Sequence, residues 1–64
     1  MYYNLVKEMK IKSISKKDIA TLLGLRYATV LDKFSGKSRF FYDEAKKVKD
    51  KYFPEFDIEY LFKT

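Results

Sequence analysis

The stretch Lys16–Ser35, KKDIATLLGLRYATVLDKFS, decides the fold. Its apolar residues recur at helical spacing on both sides of a single glycine, Gly24, which divides it into two segments. Glycine has no Cβ and can adopt the positive φ that a tight turn needs. Ala20, a small residue, lies four positions before Gly24, and Val30, a branched one, lies six positions after it. This spacing lets two helices cross steeply and closely, and it predicts a helix-turn-helix.

The ends of these two helices also have sequence signals. Ser15 is a good N-cap, and the acid three residues later favours the positive end of a helix, so the first helix is predicted from about Lys16 to Leu23. The second is predicted from about Tyr27 to Ser35, with its buried face formed by Val30 and Phe34. The motif therefore covers about residues 16–35.

Helical spacing of apolar residues continues outside the motif. It predicts a first helix from about Tyr2 to Ile11 and a fourth from about Tyr42 to Tyr52, which Pro54 ends. A short last helix is predicted at about residues 57–62, capped by Asp57. No segment alternates with period two over a useful length. The sequence thus predicts an all-α fold of five short helices in one domain spanning residues 1–64.

The composition excludes several functional classes. The chain of 64 residues has no Cys and no His, which are the commonest ligands and nucleophiles of metal and catalytic sites. It has no Gly-rich phosphate loop and no convergent pair of carboxylates, so we expect no enzyme activity, no metal and no cofactor. It also lacks an apolar run of membrane-spanning length and a signal peptide, so we expect a cytoplasmic protein without a membrane partner.

Basic residues concentrate in the middle of the chain. The net charge is +5, and residues 15–39 alone hold six basic and two acidic residues. The tail, residues 54–64, holds one lysine against three acids. A polyanion would therefore bind the middle of the chain, although a solvated lysine-rich surface is an equal alternative. The lysines of residues 46–51 are expected to form a solvated helix face.

The motif residues resemble a known family. The stretch ISKKDIATLLGL, residues 14–25, resembles the helix-turn-helix of the lambdoid repressor and Cro family, also called the XRE family. The continuation ATV at 28–30 and GKS at 36–38, and the ending within residues 52–62, resemble small Cro-like regulators of phages of Gram-positive bacteria. The resemblance covers nearly the whole chain. It implies a lambda-repressor-like domain that represses transcription at a DNA operator, usually as a homodimer on a two-fold site, in the bacterial nucleoid.

The resemblance also implies roles for individual residues. The second helix of the motif would lie in the major groove of duplex DNA. The residues that would face bases are Tyr27, Ala28, Thr29, Leu31 and Asp32. The residues that would face phosphates are Lys16, Lys17, Arg26, Lys33, Lys37 and Arg39. Tyr60 and Phe62 would either form a dimer contact or pack onto the first helix.

The chain departs from the family at the predicted DNA-reading surface. Arg26 stands where the family often has a Ser N-cap, and Leu31-Asp32 stands where relatives tend to have Ser-Arg. The Asp32 carboxylate repels phosphates, but it can accept from the amino group of cytosine or pair with Lys33 or Arg39. These departures motivate an alternative function, a protein-interaction module that blocks a host or phage regulator. It would use Tyr27, Ala28, Leu31 and Asp32.

Overall fold

The fold is seen in a computed structural model that describes residues 2–64. This range contains five helices and no strand, which confirms the predicted all-α class. The helices are α1 (Tyr3–Lys12), α2 (Lys16–Leu23), α3 (Tyr27–Ser35), α4 (Tyr42–Tyr52) and α5 (Ile58–Leu61). Across the described range, no helix combines the length and apolar character that crossing a bilayer requires.

The start and the end of α2 follow from local chemistry. The Oγ of Ser15 accepts from the backbone N–H of Asp18 at 3.1 Å, and Asp18 Oδ2 accepts from the N–H of Ser15 at 2.9 Å. This reciprocal capping box satisfies two N–H groups at the helix start. Gly24 ends α2 with a φ of 67°, in the left-handed region that glycine adopts without a steric penalty. The predicted cap and the predicted stop are both confirmed.

The two terminal helices differ from the prediction. Helix α1 begins at Tyr3 and ends at Lys12, one residue later at each end than predicted. Helix α5 covers only Ile58–Leu61, so it is shorter than predicted. Asp57 occupies the predicted N-cap position with extended backbone angles, but its side chain makes no capping hydrogen bond. The backbone carbonyl of Asp57 accepts the first hydrogen bond of the helix, from the N–H of Leu61 at 3.1 Å. A helix this short is stabilised by its packing rather than by its own hydrogen bonds.

Every helix contributes a fully buried side chain to one core. These side chains are Leu5, Ile19, Val30, Val48 and Leu61, in chain order from α1 to α5. Helix α2 packs against α3 and α4, while α5 packs against α1 and α4. The crossing of α2 and α3 buries Ala20 together with Val30, as the spacing in the motif predicted. The core therefore holds α3 by one edge and leaves its other edge available for contacts.

Aromatic rings connect both ends of the chain to the segment that follows α3. The ring of Phe40 meets those of Tyr2, Phe34 and Phe62 edge to face, at centroid distances of 5.2 to 5.3 Å. Edge-to-face pairs add stabilisation beyond the area they bury. The ring centroids of Phe62 and Tyr2 are also 5.7 Å apart. Phe62 therefore packs at the start of α1, against the N-cap residue Tyr2, and the dimer contact stays a prediction.

Tyr60 also packs against α1. Its hydroxyl donates to Glu8 Oε2 at 2.7 Å, and its backbone carbonyl accepts from Asn4 Nδ2 at 2.8 Å. The hydrogen bond to Glu8 raises the pKa of Tyr60 above its ordinary value. The carboxylate of Glu8 is buried, and this bond gives it a polar partner. Tyr60 and Phe62 are thus used inside the chain, with only part of each surface left for a second copy.

Candidate nucleic-acid interface

One face of α3 points away from the core. Tyr27 and Leu31 are 48% and 37% exposed, and Ala28 and Asp32 beside them are also exposed. Residues 27 and 31, and 28 and 32, are one helical turn apart, so the four side chains form a single surface. Thr29 is half-buried. The structure thus brings together four of the five residues predicted to face bases.

The start of α3 has no side-chain cap. Arg26 occupies the N-cap position with extended backbone angles, and its side chain makes no capping hydrogen bond. The first N–H groups of α3 therefore point out of the helix without a side-chain acceptor, and the helix dipole adds partial positive charge there. Arg26 itself is exposed. This end of the helix can accept an anion such as a phosphate.

Five of the six predicted phosphate-facing cations are accessible. Lys17, Arg26, Lys37 and Arg39 are exposed, and within residues 2–64 none of them pairs with a carboxylate. Lys16 is half-buried, with its Nζ 5.2 Å from the centroid of the Phe34 ring, and it is likewise unpaired in this range. These cations lie at the start of α2, before α3 and after α3. In the sequence, three of them precede the exposed face of α3 and two follow it.

Lys33 is the exception, and its predicted phosphate contact is wrong. Its side chain is almost completely buried, and its Nζ lies 3.0 Å from Glu44 Oε1. The same ammonium donates to the backbone carbonyl of Arg39 at 2.8 Å and lies 4.7 Å from the centroid of the Phe41 ring. Burial and these partners within the chain keep the ammonium away from the surface where a phosphate would bind.

The Lys33–Glu44 pair determines where the loop after α3 lies. Glu44 Oε1 also accepts from the backbone N–H of Phe41 at 3.0 Å, which caps α4. The carbonyl of Asp32 accepts from the N–H groups of Lys37 and Ser38 at 2.9 and 3.2 Å. Polar contacts therefore fix both ends of the segment that carries Lys37 and Arg39.

The sequence contains a signal for the burial of Lys33. Lys33 follows Val30 by three positions and precedes Phe34, so helical spacing places it on the buried side of α3. The predicted pairing of Asp32 with Lys33 or Arg39 is also wrong, because Lys33 pairs with Glu44 and the described residues give Asp32 no ion-pair partner. The Asp32 carboxylate therefore remains on the exposed face of α3.

The exposed α3 face combines apolar and charged groups. Within residues 2–64 there is no group of three or more Asp or Glu side chains placed to hold a metal ion. What the face offers is an apolar strip, one unpaired carboxylate, and flanking cations that are free to pair with anions.

Comparison with protein-family models, curated proteins and solved structures finds no match to the chain. The resemblance to the repressor and Cro family therefore stays a prediction based on the motif residues.

Proposed function

We propose that the protein is a sequence-specific DNA-binding transcriptional regulator, a repressor of the Cro type. The observation that carries the proposal is the exposed α3 face, bordered along the sequence by five cations that have no carboxylate partner among the described residues. An α-helix with its side chains is about 10–12 Å across, and the major groove of B-DNA is about 12 Å wide. Helix α3 is thus the element that would enter the groove.

The cations and the residues of the α3 face would contribute differently to DNA binding. The cations Lys16, Lys17, Arg26, Lys37 and Arg39 would contact phosphates, which supplies affinity without sequence preference. The α3 face would supply the preference: Ala28 and Leu31 can contact thymine methyl groups, and Asp32 can accept from the amino group of cytosine. Tyr27 can donate a hydrogen bond to a phosphate.

Two further parts of the proposal rest on the resemblance alone. A homodimer on a two-fold operator would place two copies of α3 about one helical turn of DNA apart. The site of action would be the bacterial cytoplasm, at the nucleoid. Both follow from the family that the motif resembles.

The test is selection of bound duplexes from a random pool at two salt concentrations, with the whole chain. We expect enrichment of one sequence, repeated as two half-sites in inverted orientation, with less DNA retained at the higher salt. Leu31→Ala and Asp32→Ala should lose the sequence preference and keep the binding to unselected duplex. Enrichment without inverted half-sites would contradict the dimer alone.

The second candidate is the protein-interaction module. It is favoured by the exposed, adjacent residues Leu31 and Asp32. An apolar side chain next to a carboxylate that has no ion-pair partner among residues 2–64 is an unusual surface to place against DNA. The same selection separates the two candidates. No enriched duplex at either salt would contradict DNA recognition and leave α3 as a surface for a protein.

A further inference from the structure

The outer side of α1 exposes large apolar side chains. Tyr3 is 74% exposed and Ile11 is 68% exposed, whereas Leu5 and Met9 on the other side of the same helix are buried. One exposed apolar residue is ordinary on a protein surface. Here two occur on one short helix, about 80° apart around its axis, and half-buried Val6 lies between them in sequence. Helix α1 thus exposes large apolar side chains on the side that faces away from the core.

These side chains line a groove of about 600 Å³. We call it the α1 groove. Its apolar lining comes from Tyr3, Val6 and Ile11, and from Tyr2 and Phe34, two residues of the core. A cavity of this size is within the range that holds part of a peptide or a small ligand.

The charged side chains that line the α1 groove are all cationic. They are Lys7, Lys10 and Lys16, and no carboxylate is among the lining residues. Within residues 2–64 none of these three lysines pairs with a carboxylate. Lys12 on the same helix is different: its Nζ lies 2.7 Å from Glu55 Oε2 and donates to the carbonyl of Tyr52. The groove thus concentrates positive charge without a compensating partner.

We propose that the α1 groove binds an acidic amphipathic helix of another protein. Apolar residues of such a helix at i, i+4 and i+7 would cover Tyr3, Val6 and Ile11, and its carboxylates would reach the three lysines. Opposite charges at the rim of a surface favour the right partner and speed its encounter. Here the groove contains both parts of that recognition, apolar side chains and, between them, cations of one sign.

Other occupants match the groove less well. A second copy of the chain bound through the same groove would oppose Lys7, Lys10 and Lys16 to their own equivalents, which is repulsive. The phosphates of a nucleic acid would pair with the lysines but would leave Tyr3 and Ile11 uncovered. The proposal does not depend on DNA binding, because Lys16 is the only groove residue that also belongs to the proposed phosphate contacts.

The test is selection from a displayed library of random 16-residue peptides on the whole chain. We expect enriched peptides with a net negative charge and apolar residues at helical spacing. A synthetic peptide of the most enriched sequence should then bind with an affinity that Lys7→Glu/Lys10→Glu lowers at least about tenfold. The matched control is Lys47→Glu/Lys51→Glu, the same charge change at exposed positions on α4, which should change that affinity less than about twofold.

Three results would overturn the proposal. The first is a pool without enrichment, or one that is neutral or basic. The second is an equal loss of affinity for the two pairs of substitutions, since that would reflect net charge alone. The third is that no peptide binds while Lys7→Glu/Lys10→Glu weakens DNA binding as much as Lys37→Ala does, because the groove lysines would then belong to the DNA interface. All the substituted lysines are exposed, so helical circular dichroism should be unchanged.

Discussion

The two ends of α3 have different surroundings. At its start, Arg26 leaves the helix without a side-chain cap, and Tyr27 and Ala28 lie exposed. At its end, Phe34 is buried against the ring of Phe40, and Lys33 connects the helix to Glu44 in α4. Contacts within the chain fix the residue types at the end of the helix. The start of the helix has few such contacts, so packing constrains its residue types less and binding to a partner can determine them.

Lys33 and Lys37 show the same contrast between two residues of one type. They are four positions apart, and one is buried and paired while the other is exposed and unpaired within the described chain. A lysine near the proposed DNA surface therefore indicates a phosphate contact only if its ammonium group is exposed. Lys33 contacts the loop that carries Lys37 and Arg39 through the hydrogen bond that it donates to the Arg39 carbonyl.

Breaking the Lys33–Glu44 pair should have the largest effect on folding. Lys33→Ala leaves the Glu44 carboxylate largely buried without its cation, which we expect to cost about 3 kcal/mol in the free energy of unfolding. Lys37→Ala, on the exposed side, should change it by less than about 0.5 kcal/mol. Urea denaturation of both variants measures the difference. Equal effects would mean that Lys33 is not held as the structure places it.

A smaller contrast is expected between the neighbours Val30 and Leu31. Val30→Ala removes two buried methyl groups, and we expect a loss of about 2 kcal/mol. Leu31→Ala should cost less than about 0.5 kcal/mol, because Leu31 is partly exposed and does not belong to the core. Denaturation gives the two values. A larger loss for Leu31→Ala would show that the face assigned to DNA is part of the core.

Arg26→Ser should separate folding from binding, because it is expected to stabilise the fold while it weakens binding to DNA. Serine at the N-cap can accept from the first N–H groups of α3, so we expect a gain of about 1 kcal/mol. The same change removes a cation from the proposed DNA surface and should weaken binding to any duplex. Ser15→Ala is the matched control, since it removes the existing cap of α2 and should lose about 1 kcal/mol. If Arg26→Ser both stabilises the fold and keeps DNA affinity, Arg26 does not contact phosphate.

The sequence predicted best those features that neighbouring residues determine. The cap at Ser15, the turn at Gly24 and the bounds of α2 depend on side chains within a few positions, and the structure has them as predicted. Helical spacing indicates the buried side for Lys33, but it does not give its partner, because Glu44 is eleven positions away and is brought near by the loop between α3 and α4. The α1 groove was not predicted, because residues of α1, α2 and α3 meet to form it.

The central claim is that cations around α3 hold duplex DNA, and the salt dependence of binding tests it most directly. If Lys16, Lys17, Arg26, Lys37 and Arg39 each neutralise one phosphate, the logarithm of the binding constant should fall against the logarithm of salt concentration with a slope of magnitude about 4 to 5. Lys37→Ala should reduce that magnitude by about 0.9, and Lys47→Ala on α4 should leave it unchanged. A slope near zero, or equal slopes for the two variants and the unaltered chain, would contradict the claim.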